Sequence, residues 1–561
     1  MKKFAWRILV TIAGAGLSAL AIAYSEQSFA DDRLIGHWPL SKDATDQSPN
    51  GYHGKIHGDV KFGKAAESDK SSAVFNGRDS WIEIPADVSE QLKLGATISL
   101  DVYVSPDRGD VAGDLLSMYD ATSRSGIQLS VKDNAITTSH ANSGQLVFGI
   151  DHNRASDWID CGRPGNALLA FGLAVHDGSL YAGTCEPEAG RTGHVYRYQP
   201  ATASQGKDEW IDAGSPDGSN SVTALAGFDG HLYAATGKYR VAGSALPESE
   251  NHTPGGRVFR YGGGTTWIDC GQLPNTEAVG GLIVFRGRLY ASSLYKPAGF
   301  FRYEGGTTWT SCGTPGEKRV VALGVYNGYL YATSYDGGFV YRFDGSQWED
   351  CGQLGENTQT YSFAVYQGRL YVGTWPSGRV YLFEEPGRWT DTGRLGEELE
   401  VMGMLVQNGR LIAGTLPLAE VYSFEGAAGW TKLTRLDHTP DVKYRRAWTM
   451  AEYSGRAYCS TLPSGHIYSF AAGVTAQSNR SLSSGWHHVA AVREPDRLKL
   501  YVDGRLTSES SVFESSDYPM TAVGPLRIGF GQTDYFLGSM REVRLYGSSL
   551  SESEILKLSQ E

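Results

Sequence analysis

The chain of 561 residues contains 70 glycines, 31 tyrosines and 13 tryptophans. This length allows two or three hydrophobic cores, and this composition is typical of short strands joined by tight turns, so we predict an all-β fold. The net charge is -12, and the lysines and arginines are scattered along the chain. Such a chain lacks the basic surface of a nucleic-acid-binding protein, and that class is excluded.

The first 30 residues have the layout of a secretory signal. Basic residues at the start precede an apolar run from Ile8 to Ala23, and Ala30 ends the polar stretch that follows. The run is shorter than the ~20 residues of a membrane-spanning helix, although an uncleaved anchor is the alternative. We therefore expect cleavage after Ala30, export to the periplasm or the extracellular space, and no membrane span after cleavage.

Strand-like patterns follow this signal. The segment TISLDVYV from Thr97 alternates apolar and polar residues, and so does LKLYV from Leu498 near the end of the chain. This alternation is typical of strands that have one face on a core. Both ends of the chain are therefore predicted to supply strands to a sandwich.

One pattern recurs seven times between Trp158 and Phe470. Each copy has W-x-x-x-G, an apolar run that ends in a glycine turn, an LYA-like run and a VYRY-like run. The repeated tryptophans are Trp158, Trp210, Trp267, Trp309, Trp348, Trp389 and Trp430. Seven copies at a spacing of about 40 to 57 residues, each with four strand-like runs, predict a seven-bladed β-propeller.

The order of the strands predicts how the propeller closes. If the strands of a blade are lettered A to D in chain order, the array begins with a lone D strand at Trp158. It ends with strands A, B and C at Ile467 to Phe470. The first strand therefore completes the last blade, which removes two exposed sheet edges and brings both ends of the array together.

Four of the six cysteines occupy the same position in four different blades. They are Cys161, Cys270, Cys312 and Cys351. Equivalent outer strands of separate blades lie too far apart for a disulfide, so we expect mostly buried free thiols.

The segments on both sides of the array carry a second set of motifs. These are LIGHWPL from Leu34, AVFNGRDSWIEIP from Ala73, LSSGWHHVAAV from Leu482, LKLYVDGRL from Leu498 and FLGSMREVRLYGSSLSESEI from Phe536. They resemble the concanavalin A-like LamG (laminin G-like) jelly-roll family. The resemblance implies a discontinuous jelly-roll sandwich, split by an inserted kelch- or BNR-like seven-bladed propeller. We predict a signal peptide over 1–30, a jelly roll over 31–152 and 473–561, and the propeller over 153–472.

The family resemblance also implies a structural calcium ion. The loop DQSPNG offers Asp46 and Asn50 as oxygen ligands. Calcium takes six to eight oxygens, so an ordinary Asx turn is the alternative interpretation of these two residues.

The strand order also predicts a free face for a ligand. The D-to-A and B-to-C loops emerge on one face of a propeller, whereas this array is entered and left on the opposite face, where the jelly roll must attach. Irregular loops that converge on one rim are common binding sites, and their aromatic residues can stack on sugars. The candidate ligand-binding residues are Lys238, Tyr239, Arg240, His252, Tyr295, Tyr335, Trp375, Asp437, His438, Tyr444, Arg446 and Trp448.

Three hypotheses follow for the function. The first is a non-catalytic exported binding protein that recognises carbohydrate, as a glycan or another cell-surface ligand, through the propeller rim, the jelly roll or both. The second is a carbohydrate-active enzyme, sialidase-like or another glycoside hydrolase, because EGGTTW at Glu304 is similar to the turns of sialidase propellers. A hydrolase needs two carboxylates about 5 to 9.5 Å apart, for which Asp336 and Asp437 are the candidates. The third is an adhesive scaffold for a protein partner.

Overall fold

The computed structural model describes residues 32–64, 68–84, 97–104, 113–132, 139–140, 144–201, 206–519 and 524–561, with the backbone alone for 98–104 and 139–140. The predicted signal, residues 1–30, lies outside these ranges. Residues Arg33–Glu561 form one compact unit. Within the described ranges, no helical segment has the length and apolar character that a membrane crossing requires.

Ten strands precede the first complete repeat. They are β1 (Leu34–Trp38), β2 (Lys55–His57), β3 (Lys61–Lys64), β4 (Ser71–Asn76), β5 (Trp81–Ile84), β6 (Thr97–Val104), β7 (Gly113–Asp120), β8 (Ser125–Lys132), β9 (Ser139–His140) and β10 (Gln145–Ala155).

The repeats supply the next strands. The first three repeats give β11 (Ile159–Asp160), β12 (Leu169–His176), β13 (Ser179–Cys185), β14 (Val195–Gln199), β15 (Glu209–Asp212), β16 (Ser221–Phe228), β17 (His231–Gly237), β18 (Arg257–Gly263), β19 (Thr266–Gln272), β20 (Val279–Phe285), β21 (Arg288–Ser293), β22 (Phe300–Gly305) and β23 (Thr308–Ser311). The others give β24 (Leu323–Tyr326), β25 (Tyr329–Thr333), β26 (Phe339–Phe343), β27 (Trp348–Gln353), β28 (Gln359–Tyr366), β29 (Arg369–Trp375), β30 (Arg379–Glu385), β31 (Arg388–Arg394), β32 (Glu400–Gln407), β33 (Arg410–Leu416), β34 (Glu420–Phe424), β35 (Trp430–Arg435), β36 (Arg446–Tyr453), β37 (Arg456–Leu462) and β38 (Ile467–Phe470).

Six strands and one helix follow the repeats. They are β39 (Ala472–Ser481), β40 (Gly485–Arg493), β41 (Leu498–Val502), β42 (Arg505–Glu509), β43 (Leu526–Ile528), β44 (Leu537–Tyr546) and α1 (Glu552–Leu558). With strands in every described part of the chain and one short helix, the predicted all-β class is confirmed.

The two ends of the chain form a two-sheet sandwich. One sheet has the order β3-β4-β44-β6-β40-β41-β42, with β1 paired to β44, and the other has the order β2-β5-β43-β7-β8-β10-β39. Each sheet therefore combines strands from before and after the repeats. A single core lies between the sheets, with Trp38, Phe75, Phe148 and Phe536 fully buried in it. This arrangement is consistent with a jelly roll.

Residues Ile159 to Phe470 form an array of seven four-stranded antiparallel sheets, here called the seven-sheet array. The sheets are β12–β15, β16–β19, β20–β23, β24–β27, β28–β31, β32–β35 and β36–β38 with β11, and a single pairing of Cys185 with Ser221 joins the first two into one eight-stranded sheet. Neighbouring innermost strands contact each other in chain order from β12 to β36, and β36 contacts β12. Strand β9, which precedes β10 in the chain and belongs to neither sheet of the sandwich, pairs in parallel with β36 at this inner edge.

The first and last repeats share one sheet. Strand β11 pairs with β38, so that Ile159 lies opposite Ser469. Trp158, directly before β11, stacks on Phe470 with ring centroids 5.0 Å apart. This pairing is the one that the order of the repeats predicts.

The repeated tryptophans join adjacent sheets. The indole of Trp210 donates a hydrogen bond of 2.9 Å to the carbonyl of Cys161, and the indole of Trp267 donates one of 2.9 Å to the carbonyl of Ala213. Trp309 and Trp389 bond in the same way to Cys270 and Cys351, at 2.8 and 2.7 Å. The tryptophans therefore have a structural role in the packing between adjacent sheets. The repeated W-x-x-x-G pattern in the sequence reflects this packing.

The sandwich contacts the array at turns that join the first and second strands of the array's sheets. At one of these turns, Asn408 and Gly409 have φ of 44° and 82°, the left-handed pair that a two-residue hairpin turn requires. The side chain of Asn408 donates to the carbonyls of Ile150 and Ala472 and accepts from Gln128. The turn glycine Gly368 donates to the carbonyl of Thr533 in the sandwich. The opposite face of the array therefore remains for other contacts.

All six cysteines are free, as the sequence predicts. Five are buried and Cys312 is partly exposed, and burial raises the pKa of every thiol. We expect iodoacetamide to modify Cys312 first in the folded protein, with the other five reacting only after unfolding. Mass spectrometry of tryptic peptides measures this order. A disulfide-linked peptide in a non-reducing digest would contradict it.

Candidate functional site

The innermost strands of the array surround a cavity of about 530 Å³. Each innermost strand, or the segment that leads into it, contributes the residue six positions before the following turn. These residues are Phe171, Thr223, Gly280, Val321, Tyr361, Met402 and Trp448. A register shift spans this position in six of the seven repeats, so the residues two positions earlier do not all face the cavity. Among those, Gln359, Glu400 and Arg446 line the cavity.

Loops complete the wall of the cavity on the face away from the sandwich. The long segment after β17 contributes Tyr239, Arg240 and Glu248, and shorter loops contribute Tyr295, Tyr335 and Trp375. Tyr444 comes from the segment before β36. The cavity thus lies where loops from several repeats converge.

Hydrogen bonds hold the long loop in its position. Its short 3₁₀ helix (Val241–Ser244) begins where the Glu248 carboxylate accepts hydrogen bonds from the backbone N–H groups of Val241 and Ala242. The backbone N–H and C=O of Tyr239 are both bonded to the side chain of Asn220, at 2.7 and 3.0 Å. Arg446 donates to the Ser244 hydroxyl from the opposite wall. The loop is therefore a built part of the cavity wall.

Eight aromatic side chains line the cavity. Phe171 packs edge-on against Tyr239 and Trp448, with centroids 4.8 and 5.2 Å away. Tyr335 stacks on Tyr361 at 4.8 Å with an interplanar angle of 28°. Rings of this kind offer apolar faces together with hydroxyl groups, a combination that suits a polyhydroxylated ligand.

Trp375 and Tyr444 lie on the loops at the wall. Their centroids are 6.2 Å apart at 87°. Both side chains are partly exposed, which leaves part of each ring accessible from the cavity.

Two buried charged groups lie on the wall between β32 and β36. The Nε of Arg446 is 3.9 Å from Oε2 of Glu400, and their side chains are 7% and 3% exposed. Burial raises the pKa of Glu400 to about 7, although Arg446 and a hydrogen bond from Tyr361 lower it. This carboxyl group therefore changes its protonation state near neutral pH, which is rare for a glutamate.

The structure brings eight of the twelve sequence-predicted residues to this cavity. They are Tyr239, Arg240, Tyr295, Tyr335, Trp375, Tyr444, Arg446 and Trp448. Arg240 is held outward by an ion pair of 2.5 Å with Glu277, and its guanidinium covers the Tyr295 ring at 4.2 Å.

The other four predicted residues are not among the lining residues. Lys238 and His252 bond to each other at 3.3 Å on the exposed side of the long loop, and His438 is exposed. Asp437 is buried and accepts hydrogen bonds from Thr439 and from the backbone of Ser464, so it ties two loops together. Burial raises the pKa of Asp437, but the hydrogen bonds lower it by more, so that the pKa lies below its ordinary value.

The two carboxylates considered for hydrolysis are both engaged in the structure. Asp336 forms ion pairs with Arg319 at 3.0 Å and with Lys296 at 3.7 Å. Neither Asp336 nor Asp437 lines the cavity described here. The structure therefore offers no support for this pair as a catalytic acid and base.

Sequence reasoning missed Glu400, Tyr361 and Phe171. The signal lies in the alignment of the innermost strands at the positions six and eight residues before each turn, where only two repeats have small residues at both positions, Ser221 with Thr223 and Ala278 with Gly280. Charged or aromatic residues at these positions mark the wall that contains Glu400 and Arg446. An inward charge in an apolar strand is costly without a partner, which makes it informative.

Asp46 and Asn50, predicted as calcium ligands, lie in the loop after β1. The Asp46 carboxylate accepts hydrogen bonds of 2.8 Å from the backbone N–H groups of His37, Ser48 and Tyr52, and the Asn50 amide donates to Ile35. Within the described ranges, three or more His, Cys, Asp or Glu side chains do not gather into a group that could hold a metal. The geometry is that of a loop stabilised by one aspartate, and calcium binding stays a prediction.

Comparisons with known proteins find similarity to one family model over part of the chain and to solved structures. A family model described as the concanavalin A-like lectin/glucanases superfamily (Laminin_G_3) matches residues 430–556. No curated protein matches the sequence. One similar solved structure is an inactive variant of virginiamycin B lyase from Staphylococcus aureus with quinupristin, at 10% identity and a TM-score of 0.40, covering 57% of this chain and 99% of that chain. Another is the extracellular domain of a protein described as a hybrid two component system from B. thetaiotaomicron, at 11% identity and a TM-score of 0.39, covering 63% of this chain and 47% of that chain.

Proposed function

We propose that this chain is an exported carbohydrate-binding protein whose ligand occupies the aromatic cavity of the seven-sheet array. The observation that carries the proposal is the lining of that cavity, in which eight Tyr, Trp and Phe rings lie together with six polar or charged side chains. A volume of about 530 Å³ lies within the ~300–1,000 Å³ typical of sites for small ligands.

The proposal includes an architecture. The seven-sheet array is a closed seven-bladed propeller over residues 153–472, inserted into a laminin G-like jelly roll over 31–152 and 473–561. The contact between β36 and β12 and the pairing of β11 with β38 support closure. The pairing of β10 with β39 supports the insertion, since these strands precede and follow the array.

The family match supports a binding or adhesive role outside the cell. In this proposal the sandwich covers one face of the array and leaves the cavity on the other face open to a glycan of a cell surface. The predicted signal over 1–30 would place the protein in the periplasm or outside the cell.

A glycan array followed by titration calorimetry tests the binding. We expect at least one oligosaccharide to bind, and Trp375→Ala to weaken this binding about tenfold or more, because a stacked aromatic side chain commonly contributes over ~1 kcal/mol. Tyr329→Ala is the control, since Tyr329 lies at the opposite face, at the start of β25. An unchanged affinity in the Trp375 variant, or a panel without any bound glycan, would contradict the proposal.

A further inference from the structure

The guanidinium of Arg446 is a buried cation with one N–H group that is not used in a hydrogen bond to the described residues. It donates to Ser244 and lies over the rings of Tyr444 and Trp448, at 5.7 and 5.0 Å from the centroids. Its Nε is buried and has no hydrogen-bond partner among the residues that the structure describes. A buried donor that remains unbonded is costly, most of all on a charged group, so an acceptor from a ligand would stabilise this arrangement.

The neighbouring carboxylate does not satisfy this donor. Glu400 Oε2 is 3.9 Å from Arg446 Nε, beyond hydrogen-bond distance. Because burial raises the pKa of Glu400 to about 7, this carboxyl group is largely neutral in mildly acidic solution. Below neutral pH the charge of Arg446 is therefore without a counter-charge on this wall.

The other charged groups that line the cavity are already engaged. Arg240 is paired with Glu277 at 2.5 Å. The Glu248 carboxylate accepts hydrogen bonds from the backbone N–H groups of the long loop, including that of Ser249 at 2.9 Å. Among the lining residues that the structure describes, Arg446 is thus the cation left for an anionic ligand.

We propose that the ligand is an acidic saccharide, such as a uronic-acid oligosaccharide, whose carboxylate binds the Arg446 guanidinium beside Glu400 while its rings lie against the aromatic wall. This inference rests on the proposed carbohydrate-binding function and names the class of sugar. A planar guanidinium matches a carboxylate in shape and in hydrogen-bond geometry. A sulfate ester offers similar oxygens, and the experiment separates the two.

The proposal predicts a pH dependence with a definite sign. Facing Glu400 are Arg446, Tyr239, Tyr335 and Tyr361, and burial raises the pKa of all three tyrosines, which therefore stay neutral. The change near pH 7 accordingly belongs to Glu400. As the pH rises through 7, Glu400 ionises, neutralises Arg446 and competes with the carboxylate of the ligand.

Calorimetry with trigalacturonate and its methyl ester provides the test, because the ester keeps the sugar rings and removes the charge. We expect the acid to bind at least tenfold more tightly than the ester at pH 6, and the affinity for the acid to fall several-fold between pH 6 and pH 8. Arg446→Met should weaken binding of the acid tenfold to a hundredfold, and weaken binding of the ester by a clearly smaller factor. Near-ultraviolet circular dichroism checks that the variant is folded.

Glu400→Gln keeps the shape of the side chain and gives an independent readout. In this variant the affinity for the acid should be the same at pH 6 and pH 8. This measurement tests the inference even if the Arg446→Met variant fails to fold. Equal affinities for acid and ester, or a preference for a galactan sulfate over trigalacturonate, would overturn the inference. If a neutral glycan binds and depends on Trp375, the acidic-sugar inference fails while the proposed function stands.

Discussion

Arg410→Met is expected to destabilise the protein by about 3–5 kcal/mol. The guanidinium of Arg410 forms a bidentate ion pair with Asp151 at 2.9 to 3.0 Å, in the junction between the sandwich and the seven-sheet array. Their side chains are 6% and 0% exposed. Removal of the arginine leaves a buried carboxylate whose remaining bonds come from Tyr119 and from the backbone of Arg154. Urea unfolding and calorimetry measure the loss.

This loss should depend on pH. Burial raises the pKa of Asp151 and Arg410 opposes this, so the pKa rises further in the variant. A carboxyl group with a raised pKa in the folded state costs stability as the pH rises above its unfolded value of about 4. The loss of unfolding free energy in Arg410→Met should therefore be larger at pH 8 than at pH 4.5.

The double variant Arg410→Met with Asp151→Asn is the matched control. The neutral amide does not need a counter-charge, so the second change should recover most of the stability lost in the first. A cost below 1 kcal/mol for Arg410→Met alone, or a double variant that is no better than the single one, would show that the pair does not hold the junction.

Gly465→Ala is expected to destabilise the protein by about 2–5 kcal/mol, because two effects add. Gly465, in the turn between β37 and β38, has φ of 69°, which costs other residues about 1–2 kcal/mol. A Cβ there would also lie 1.8 Å from the carbonyl oxygen of Ala167, so the backbone has to shift, which costs about 1–3 kcal/mol more. The contact joins the last repeat to the segment before β12, so the variant weakens the meeting point of the first and last repeats.

Gly190→Ala separates the two effects. Gly190 has φ of 70°, and a Cβ there would have no atom within 4 Å. This control should show the backbone cost alone, about 1–2 kcal/mol. Equal losses in the two variants, measured by thermal unfolding, would mean that the contact with Ala167 does not contribute.

The repeat pattern and the turn residues predicted most of the fold. Each W-x-x-x-G run became the outermost strand of a sheet, and each glycine turn between the first and second strands of a repeat became a two-residue hairpin, because these are local requirements of the backbone. The separate motifs before and after the array likewise predicted strands that meet in one sandwich. The direct contact of β9 with β36 had no local signal, since it depends on how the sandwich sits on the array.

The candidate site was less accessible to sequence reasoning. Loop irregularities pointed to Tyr239, Tyr444 and Arg446, which line the cavity. They also pointed to Asp437, whose carboxylate instead fastens a loop. Glu400 was missed because it sits in a regular strand, and its unusual character comes from burial and from Arg446 on the neighbouring strand. Such properties arise only when the strands are assembled.

The pairing of β10 with β39 has a consequence for the modular history of the chain. Ala155 lies opposite Ala472, and the backbone of Ser156 bonds to that of Ala471 at 2.8 Å. The entire array thus stands where an antiparallel hairpin would have a short turn, and a graft of a few residues at this point would restore a continuous sandwich. By the same geometry, the array could be transplanted into the hairpin of an unrelated host, provided that the host offers partners for Asn408 and Arg410.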